Sequence, residues 1–390
     1  MSPPKEHNPW GKPPWQIDFN PPRQVAPAEA DFAVIGAGFT GLAAAAWLRL
    51  LAPDRSVVVL EAGSIGFGAS GRTGGLTLAE SAAADLPGLG DVLAGLRTIL
   101  ERFSAPDEPS LAEHAQLSLG GVWEVARTGK HLPAGPIAWN DSGTLHVVKE
   151  VPGGTVDPGK LVSALGRAAH RLGAVILENH RVERIEWHER TELRFAAGGR
   201  LCARKILFST NALSLGLSGL GKGVHPKLTL AVATAPLRDE QLDAIGWSER
   251  KAFYTADLPY LWGRVLPDNS TVWGAGLVDA PDEEGDLLKV DVAAEGPRRI
   301  FESLEERVRC LHPALRDVTF THRWGGPILF RDSWTPIFTW HRQNEAQSRN
   351  AIVLGGYAGH GVALSSYLGA WAAEALLGKR DLPMWGQFRS

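Results

Sequence analysis

The sequence holds two cysteines in 390 residues, Cys202 and Cys310. They lie far apart, form no metal-ligand spacing and offer no disulfide framework, which suits a reducing compartment. An excess of one charge is also missing. The formal net charge is −3 and the basic residues are scattered, which argues against a nucleic-acid footprint. Residues 1–30 lack the apolar core of a signal peptide and are instead rich in proline (Pro3, Pro4, Pro13, Pro14, Pro21, Pro22, Pro27). The most apolar stretch, Phe32 to Leu51, is interrupted by glycines and carries Arg49, so it does not read as a membrane span. No Ser/His/Asp or paired-carboxylate constellation stands out. These absences predict a soluble, cytoplasmic protein with no nucleic-acid partner, no membrane span and no metal.

What the sequence does have is concentrated between Asp31 and Gly75. The apolar run Phe32-Ala33-Val34-Ile35 is followed by Gly36-Ala37-Gly38-Phe39-Thr40-Gly41, then by an Ala/Leu-rich run to Leu51. A second apolar run, Val57 to Leu60, ends in Glu61 and Ala62. The order is strand, glycine turn, helix, strand, acid. The first glycine permits the tight turn, the second lets a pyrophosphate approach the backbone, and the third lets helix and strand pack closely. The helix start offers N–H groups and a positive dipole end to phosphates. Glu61, 20 positions after Gly41, is placed to accept hydrogen bonds from a ribose. A tight turn in a parallel sheet would explain the strands but not the three glycines together with the acid. The pattern therefore predicts a dinucleotide ligand and leaves NAD and FAD both open.

A second glycine-dense loop follows, Ile65-Gly66-Phe67-Gly68-Ala69-Ser70-Gly71-Arg72-Thr73-Gly74-Gly75. It suits a backbone wrapped closely around a charged cofactor, with Arg72 as the matching cation. With these residues the sequence resembles the D-amino-acid-oxidase superfamily of FAD-dependent amine and amino-acid oxidoreductases, nearest to its gamma-glutamylputrescine oxidase and glycine/sarcosine oxidase branches. Thr73 stands where that branch usually has Asn. The C-terminal stretch Gly355-Gly356-Tyr357-Ala358-Gly359-His360-Gly361-Val362, leading into a long apolar run to Leu377, resembles the same family's signature there. The resemblance also implies that Val182 contacts the adenine and that the strand before Thr210-Asn211-Ala212 re-enters the cofactor domain. Ser209 replaces a small apolar residue common at that place, and only about eight residues separate Val148 from Asp157 where the family usually inserts more elements.

The length predicts a large core and two domains. The expected class is α/β: a Rossmann-type FAD-binding domain of interleaved segments (31–85, 143–215 and 320–382) and a second, α+β substrate domain (86–142 and 216–319) built on an antiparallel sheet. Residues 1–30 are expected to form an extended arm with Trp10, Trp15 and Phe19 as anchors, a disordered leader being the alternative, and 383–390 a tail. Periodicity predicts helices over Leu89–Phe103, Leu111–Ala126 (with Trp123 on one face), Lys160–Leu172, Glu295–Cys310 and Gly361–Leu377. Strands are expected at Gly143–Val148, Ala174–Leu177, Arg181–Trp187, Leu193–Ala196, Lys205–Phe208, Lys227–Leu237, Tyr260–Leu266, Thr271–Val278 and Ala351–Leu354.

The helix start at Gly361 bears on the cofactor. Its dipole suits the pyrimidine edge of a flavin, where negative charge gathers on reduction, and this with the resemblance favours FAD. Family members with covalent flavin use a cysteine near Gly325 or a histidine near Ser70; this sequence has neither, so FAD is expected to be non-covalent. The cofactor-binding residues expected are Gly36, Ala37, Gly38, Phe39, Thr40, Gly41, Glu61, Ala62, Ser70, Gly71, Arg72, Thr73, Gly74, Gly75, Val182, Thr210, Asn211, Gly356, Gly359, His360, Gly361 and Val362. On the substrate side the candidates are Tyr260, Trp262 and Trp324 as an aromatic wall, Arg264 for a carboxylate, and His360 beside the flavin. Ordinary core packing, a solvated strand arginine and a turn histidine are their respective alternatives. Lys227 and Lys251 are conceivable oxygen-activating lysines, with a surface role as the alternative. The reaction implied is oxidation of a C–N bond in an amine or amino acid, with oxygen or another acceptor. An amine dehydrogenase and a flavin-bearing scaffold without turnover remain open.

Overall fold

The structure, a computed structural model, describes residues 8–106, 108–127, 134–342 and 349–388. Residues 1–7 of the expected arm and 389–390 of the expected tail lie outside these, as do 107, 128–133 and 343–348. The chain divides into two compact units, each assembled from interleaved segments.

One unit comprises the described residues within Trp15–Leu117, Val156–Pro226 and Ile328–Ser390. Its sheet runs in the order Ile337–Trp340, Ala351–Gly355, Arg200–Phe208, Glu29–Ile35, Val57–Leu60, Val175–Leu177. Four of these pairings are parallel; Ile337–Trp340 joins one edge antiparallel, and an antiparallel pair, Val182–Glu186 and Thr191–Phe195, branches from Arg200–Phe208. Phe32 lies opposite Val57 and Ile35 opposite Leu60, which sets the ends of the two strands side by side at the glycine turn. Strands buried on both faces need continuous apolar sequence, and Val57–Leu60 and Ala351–Gly355 are buried throughout.

Helix Phe39–Leu51 is buried over Phe39 to Leu48, with Ala43 to Ala46 fully enclosed. Helix Gly361–Leu376 crosses it closely: a Cβ on Gly369 would lie 2.5 Å from Thr40 O. Small residues on both helices permit that approach. Helix Pro158–Arg171 begins where its sequence says it should. Asp157 accepts from Lys160 N at 2.9 Å, Pro158 occupies the first turn, and Gly173 (φ +93°) stops it.

The other unit comprises the described residues within Met1–Pro14, Ser118–Thr155 and Lys227–Pro327. It is built on an eight-stranded sheet. Within it Thr271–Asp279, Trp262–Val265 and Ala252–Thr255 are successive antiparallel neighbours, and Ala252–Thr255 pairs in parallel with Val122–Ala126. Its core is aromatic. Trp139, Trp247, Phe253 and Trp273 meet with ring centroids 5.0–5.7 Å apart. Each indole N–H is satisfied, on Ile245 O, Lys251 O and Thr271 Oγ1 respectively, so the rings enter the core without an orphaned donor.

Two expectations need correction. The helix expected over Leu111–Ala126 covers only Leu111–His114, a single turn with a Ser110/Glu113 capping box. Gln116 (φ +53°) and Gly121 (φ +93°) then break it, and Val122–Ala126 is a strand with Trp123 buried. A short run of valine and tryptophan fits a pleated sheet better than a helix. The units also divide the chain differently from the expected segments. Residues 86–117 go with the parallel-sheet unit, because helix Val92–Phe103 buries Val92, Leu96, Ile99, Leu100 and Phe103 in its core. Residues 143–155 go with the other unit, where Thr144–Val151 pairs with Val122–Ala126.

Candidate cofactor and active site

The turn after strand Glu29–Ile35 is built from contacts only glycine allows. Gly36 has φ +104°, and a Cβ there would lie 2.9 Å from Ser209 O. A Cβ on Gly41 would lie 2.0 Å from Gly36 O, and one on Gly38 2.7 Å from Ser70 Oγ. Gly38 is the N-cap of helix Phe39–Leu51 and brings no side chain to the helix start. Ser70 reaches across from the second loop and accepts from Phe39 N at 2.9 Å. Ser209 donates to Ile35 O at 2.8 Å and Gly36 O at 3.0 Å, so its hydroxyl seals the turn from behind.

Glu61 ends its strand with both carboxylate oxygens beside this turn, accepting from Ala37 N at 2.9 Å and Gly63 N at 3.0 Å. Burial raises its pKa, the two N–H bonds oppose that, and Glu178 adds to the rise. Ala62 follows it exposed. Val182 is buried on its strand, and the chain just before it is tied to Glu61, with His180 N donating to Glu61 O at 2.7 Å. Val182 and Glu61 thus belong to one corner.

In the second glycine loop Gly71 N donates to Gly66 O at 3.0 Å, closing the loop on itself. Arg72 is buried, donates from Nε to Phe67 O at 2.9 Å and lies over the Phe67 ring at 5.5 Å. Thr73 accepts from Gly75 N at 3.4 Å through the buried Gly74 turn, and Gly75 has φ +79°. The threonine hydroxyl thereby takes a role that an amide oxygen would also fill.

The corner near the C-terminus sits in the same unit. Asn211 (φ +49°), next to Thr210, accepts from Gly356 N at 2.9 Å, so the turn after strand Arg200–Phe208 holds the turn after Ala351–Gly355. Gly356 (φ +69°), Ala358 (φ +51°) and Gly359 (φ +86°) turn the chain into helix Gly361–Leu376, with His360 as N-cap and Val362 buried. Burial lowers the His360 pKa, which keeps its ring neutral at pH 7. The two corners are joined by a residue that the motif reading passed over. Tyr357 meets Thr40 through a 2.7 Å hydrogen bond between their hydroxyls. Burial raises the Tyr357 pKa, so it stays protonated. An aromatic with a hydroxyl inside a glycine turn was the available signal.

The substrate-side candidates fall into two groups. Tyr260, Trp262, Arg264 and Trp324 belong to the antiparallel-sheet unit and His360 to the cofactor unit. Tyr260 and Trp262 are brought together. Tyr260 is 41 % exposed as a residue, its hydroxyl is bonded to the Trp262 side chain, and desolvation raises its pKa. An indole is a donor only, so Tyr260 accepts. The Trp262 ring lies flat across Gly274, where a Cβ would come within 2.0 Å of it. Arg264 is buried opposite Val272. Trp324 is fully buried in a bridge with Gly11 and is a core residue in this structure. Lys227 is paired with Asp279, and Lys251 with Glu150 (2.6 Å) and Glu249 (2.9 Å).

Beneath Tyr260 lies an ion network that pattern reading missed. Arg127 donates to Asp141 and to Asp257 (2.6 Å), and Arg307 grips Asp141 at 3.0 and 2.7 Å. Both guanidinium groups also donate to Pro259 O, at 2.7 and 2.8 Å, and Arg307 to Tyr260 O at 2.9 Å. Burial works against ionised Asp141, but Arg307 and Arg127 outweigh it and hold the carboxyl below its usual range.

A family profile described as DAO, FAD dependent oxidoreductase, matches residues 31–375. The chain belongs to this FAD-dependent oxidoreductase family. It is similar to the probable oxidoreductase OrdL of Haemophilus influenzae, 26 % identical over 408 aligned positions spanning 93 % of this chain and 86 % of the relative. The gamma-glutamylputrescine oxidoreductase of Escherichia coli is 27 % identical over 392 positions, spanning 90 % and 84 %. Among solved structures, glycine oxidase from Geobacillus kaustophilus superposes with a TM-score of 0.66 at 17 % identity, covering 91 % of this chain and 96 % of that one. L-proline dehydrogenase from P. horikoshii gives 0.66 at 17 %, covering 92 % and 96 %. These likenesses carry the fold.

The residues present fit FAD. Glycines line both corners, and around Gly359 an added Cβ would meet open space. Thr77, Ser365 and Ser366 are buried with hydroxyls that have no protein partner. Buried polar groups are normally satisfied, so such hydroxyls suit a polar ligand. As a member of the family the protein uses FAD. No helix of the described residues is long and apolar enough to cross a membrane.

Proposed function

We propose that this protein oxidises a C–N bond of an amine or amino acid. The reading is supported most by one observation: two glycine-to-helix corners in one unit, tied by the Thr40–Tyr357 hydrogen bond within a chain of the FAD-dependent family. FAD, held non-covalently, supplies the acceptor for a hydride from the carbon beside the amine nitrogen, and water hydrolyses the resulting imine. Gly36 to Gly41 and the start of helix Phe39–Leu51 receive the pyrophosphate, with Glu61 on the ribose and Val182 at the adenine. The start of helix Gly361–Leu376 faces the charge that gathers on the pyrimidine edge, and neutral His360 adds no competing cation there. Tyr260 and Trp262 form the apolar wall for the substrate's carbon skeleton, with Arg264 the nearest cation along that strand. Trp324, fully enclosed, takes no part. The substrate must bind as the neutral amine, because a protonated nitrogen has no lone pair to stabilise the developing imine. Two free cysteines suit a cytoplasmic setting, which belongs to this proposal.

The test is purified protein mixed anaerobically with a panel of amines and amino acids. A yellow protein that bleaches with some of them and regains colour with oxygen is an oxidase. Recolouring only with a quinone or carrier identifies a dehydrogenase. A yellow protein inert to the whole panel sinks the catalytic reading in favour of a scaffold.

A further inference from the structure

Residues 15–19 run across the cofactor unit in extended form, and the unit is shaped to receive them. Trp15, Ile17 and Phe19 turn inward while Gln16 and Asp18 are exposed, the period of two expected of an extended segment. Trp15 Nε1 donates to Gly71 O at 2.8 Å, inside the second glycine loop and next to Arg72. A Cβ on Gly66 would lie 2.7 Å from Ile17 Cδ1, and one on Gly71 3.2 Å from the same atom. On helix Pro158–Arg171 a Cβ on Gly159 would lie 2.1 Å from Gln16 O, and one on Gly166 2.7 Å from the Phe19 ring. Four glycines therefore leave a track for this one segment. Polar contacts fix it lengthwise: Asp18 N donates to Ser163 Oγ at 2.9 Å, and Arg167 donates to Asp18 O at 2.8 Å while stacking on Phe19.

We infer that residues 15–19 are a strap that holds the Gly66–Gly75 loop in its cofactor-binding form, with Trp15 as a positioning residue for FAD. The strap lies outside residues 31–375, the stretch shared with the family. The inference rests on the FAD reading above. A loop with five glycines between 66 and 75 pays a large entropy cost to hold one shape, and a strap bonded to its centre removes part of that cost before the ligand arrives. Trp15 acts through its hydrogen bond to Gly71.

The experiment measures FAD affinity of the apoprotein by flavin fluorescence, beside its thermal midpoint without FAD. Trp15→Phe keeps a ring and drops the donor; Gly159→Ala lifts Gln16 while leaving the loop untouched. Each is expected to weaken FAD binding by roughly fivefold to tenfold, the size of one lost hydrogen bond expressed in affinity. Trp10→Phe, which removes the equivalent donation to Leu287 O in the other unit, is expected to leave FAD affinity unchanged. Unchanged FAD affinity in both strap variants, with only a lower thermal midpoint, reduces residues 15–19 to packing and overturns the proposal. Equal weakening by Trp10→Phe overturns it as well, since the effect would then be general destabilisation. Wild-type protein that takes up no FAD overturns the cofactor reading itself.

Discussion

At the glycine corners of the cofactor unit, geometry is set by atoms that are not there: Gly36, Gly38 and Gly41 leave room for less than one methyl group. In the antiparallel-sheet unit the loop that carries Tyr260 is held by the opposite means, two arginines and two aspartates packed beneath it. The first arrangement presents bare backbone, which suits a phosphate or a ring edge that must approach closely. The second points three carbonyl groups inward at guanidinium donors and leaves Leu258 and Tyr260 at the surface, which suits an apolar substrate body.

Substitutions break this contrast at different strengths. The largest effect is expected from Gly41→Val: its Cβ would fall 2.0 Å from Gly36 O, and the purified protein should be colourless, with FAD affinity down by at least about a hundredfold. Tyr260-side properties such as the near-ultraviolet spectrum of the other unit should be retained; their loss would mean that the change unfolds the chain. Next comes Asp141→Ala. Its carboxylate is 5 % exposed between two arginines, and removing it takes a buried carboxylate partner from both guanidinium groups, a cost of about 3–5 kcal/mol read from urea unfolding. Retained FAD affinity with a raised KM would sharpen the contrast, and an unchanged unfolding midpoint would end the claim that the network holds the loop.

Tyr357→Phe should be milder. It removes the Thr40 partner without changing shape, costing about 1 kcal/mol, or roughly a fivefold loss of FAD affinity by fluorescence titration. The smallest effect is one of pH. Glu61 has its pKa raised above the ordinary 4.5 by burial, with Glu178 adding to it. In the protein without cofactor, the folded state then holds the proton across the window from 4.5 to the raised value, and this group makes the fold less stable as pH rises through it. Ribose hydroxyls donate more strongly to the ionised form, so FAD binding should weaken as pH falls through the same window. Titrations between about pH 8 and pH 5 read this, and Glu61→Gln should flatten the curve.

The cofactor half of this contrast was legible in the sequence because its constraints are local. A glycine needed at φ +104° or against a carbonyl stays glycine whatever surrounds it, and the strand, turn, helix and acid follow within 31 residues, Asp31 to Glu61. Tyr357 escaped notice because its partner, Thr40, is 317 positions away. The ion network was hidden for the same reason: Arg127, Asp141, Asp257 and Arg307 are ordinary surface residue types until the sheet gathers them. A short apolar run has no decisive period, so Trp123 reads as helical in the sequence, and pairing with Ala252–Thr255 and Thr144–Val151 makes it a strand. Aromatic type alone does not distinguish lining from core, so the sequence leaves Trp324 open to both, and the structure encloses it fully.

The tryptophan cluster of the sheet unit has a practical consequence. Trp139, Trp247 and Trp273 stand with ring centroids 5.0–5.4 Å apart at fixed tilts, close enough for their excited states to couple into a circular-dichroism signal that vanishes when the packing loosens. Bound flavin reports on the other unit through its visible band. A single heated cuvette watched at two wavelengths therefore carries a separate clock for each half of the chain.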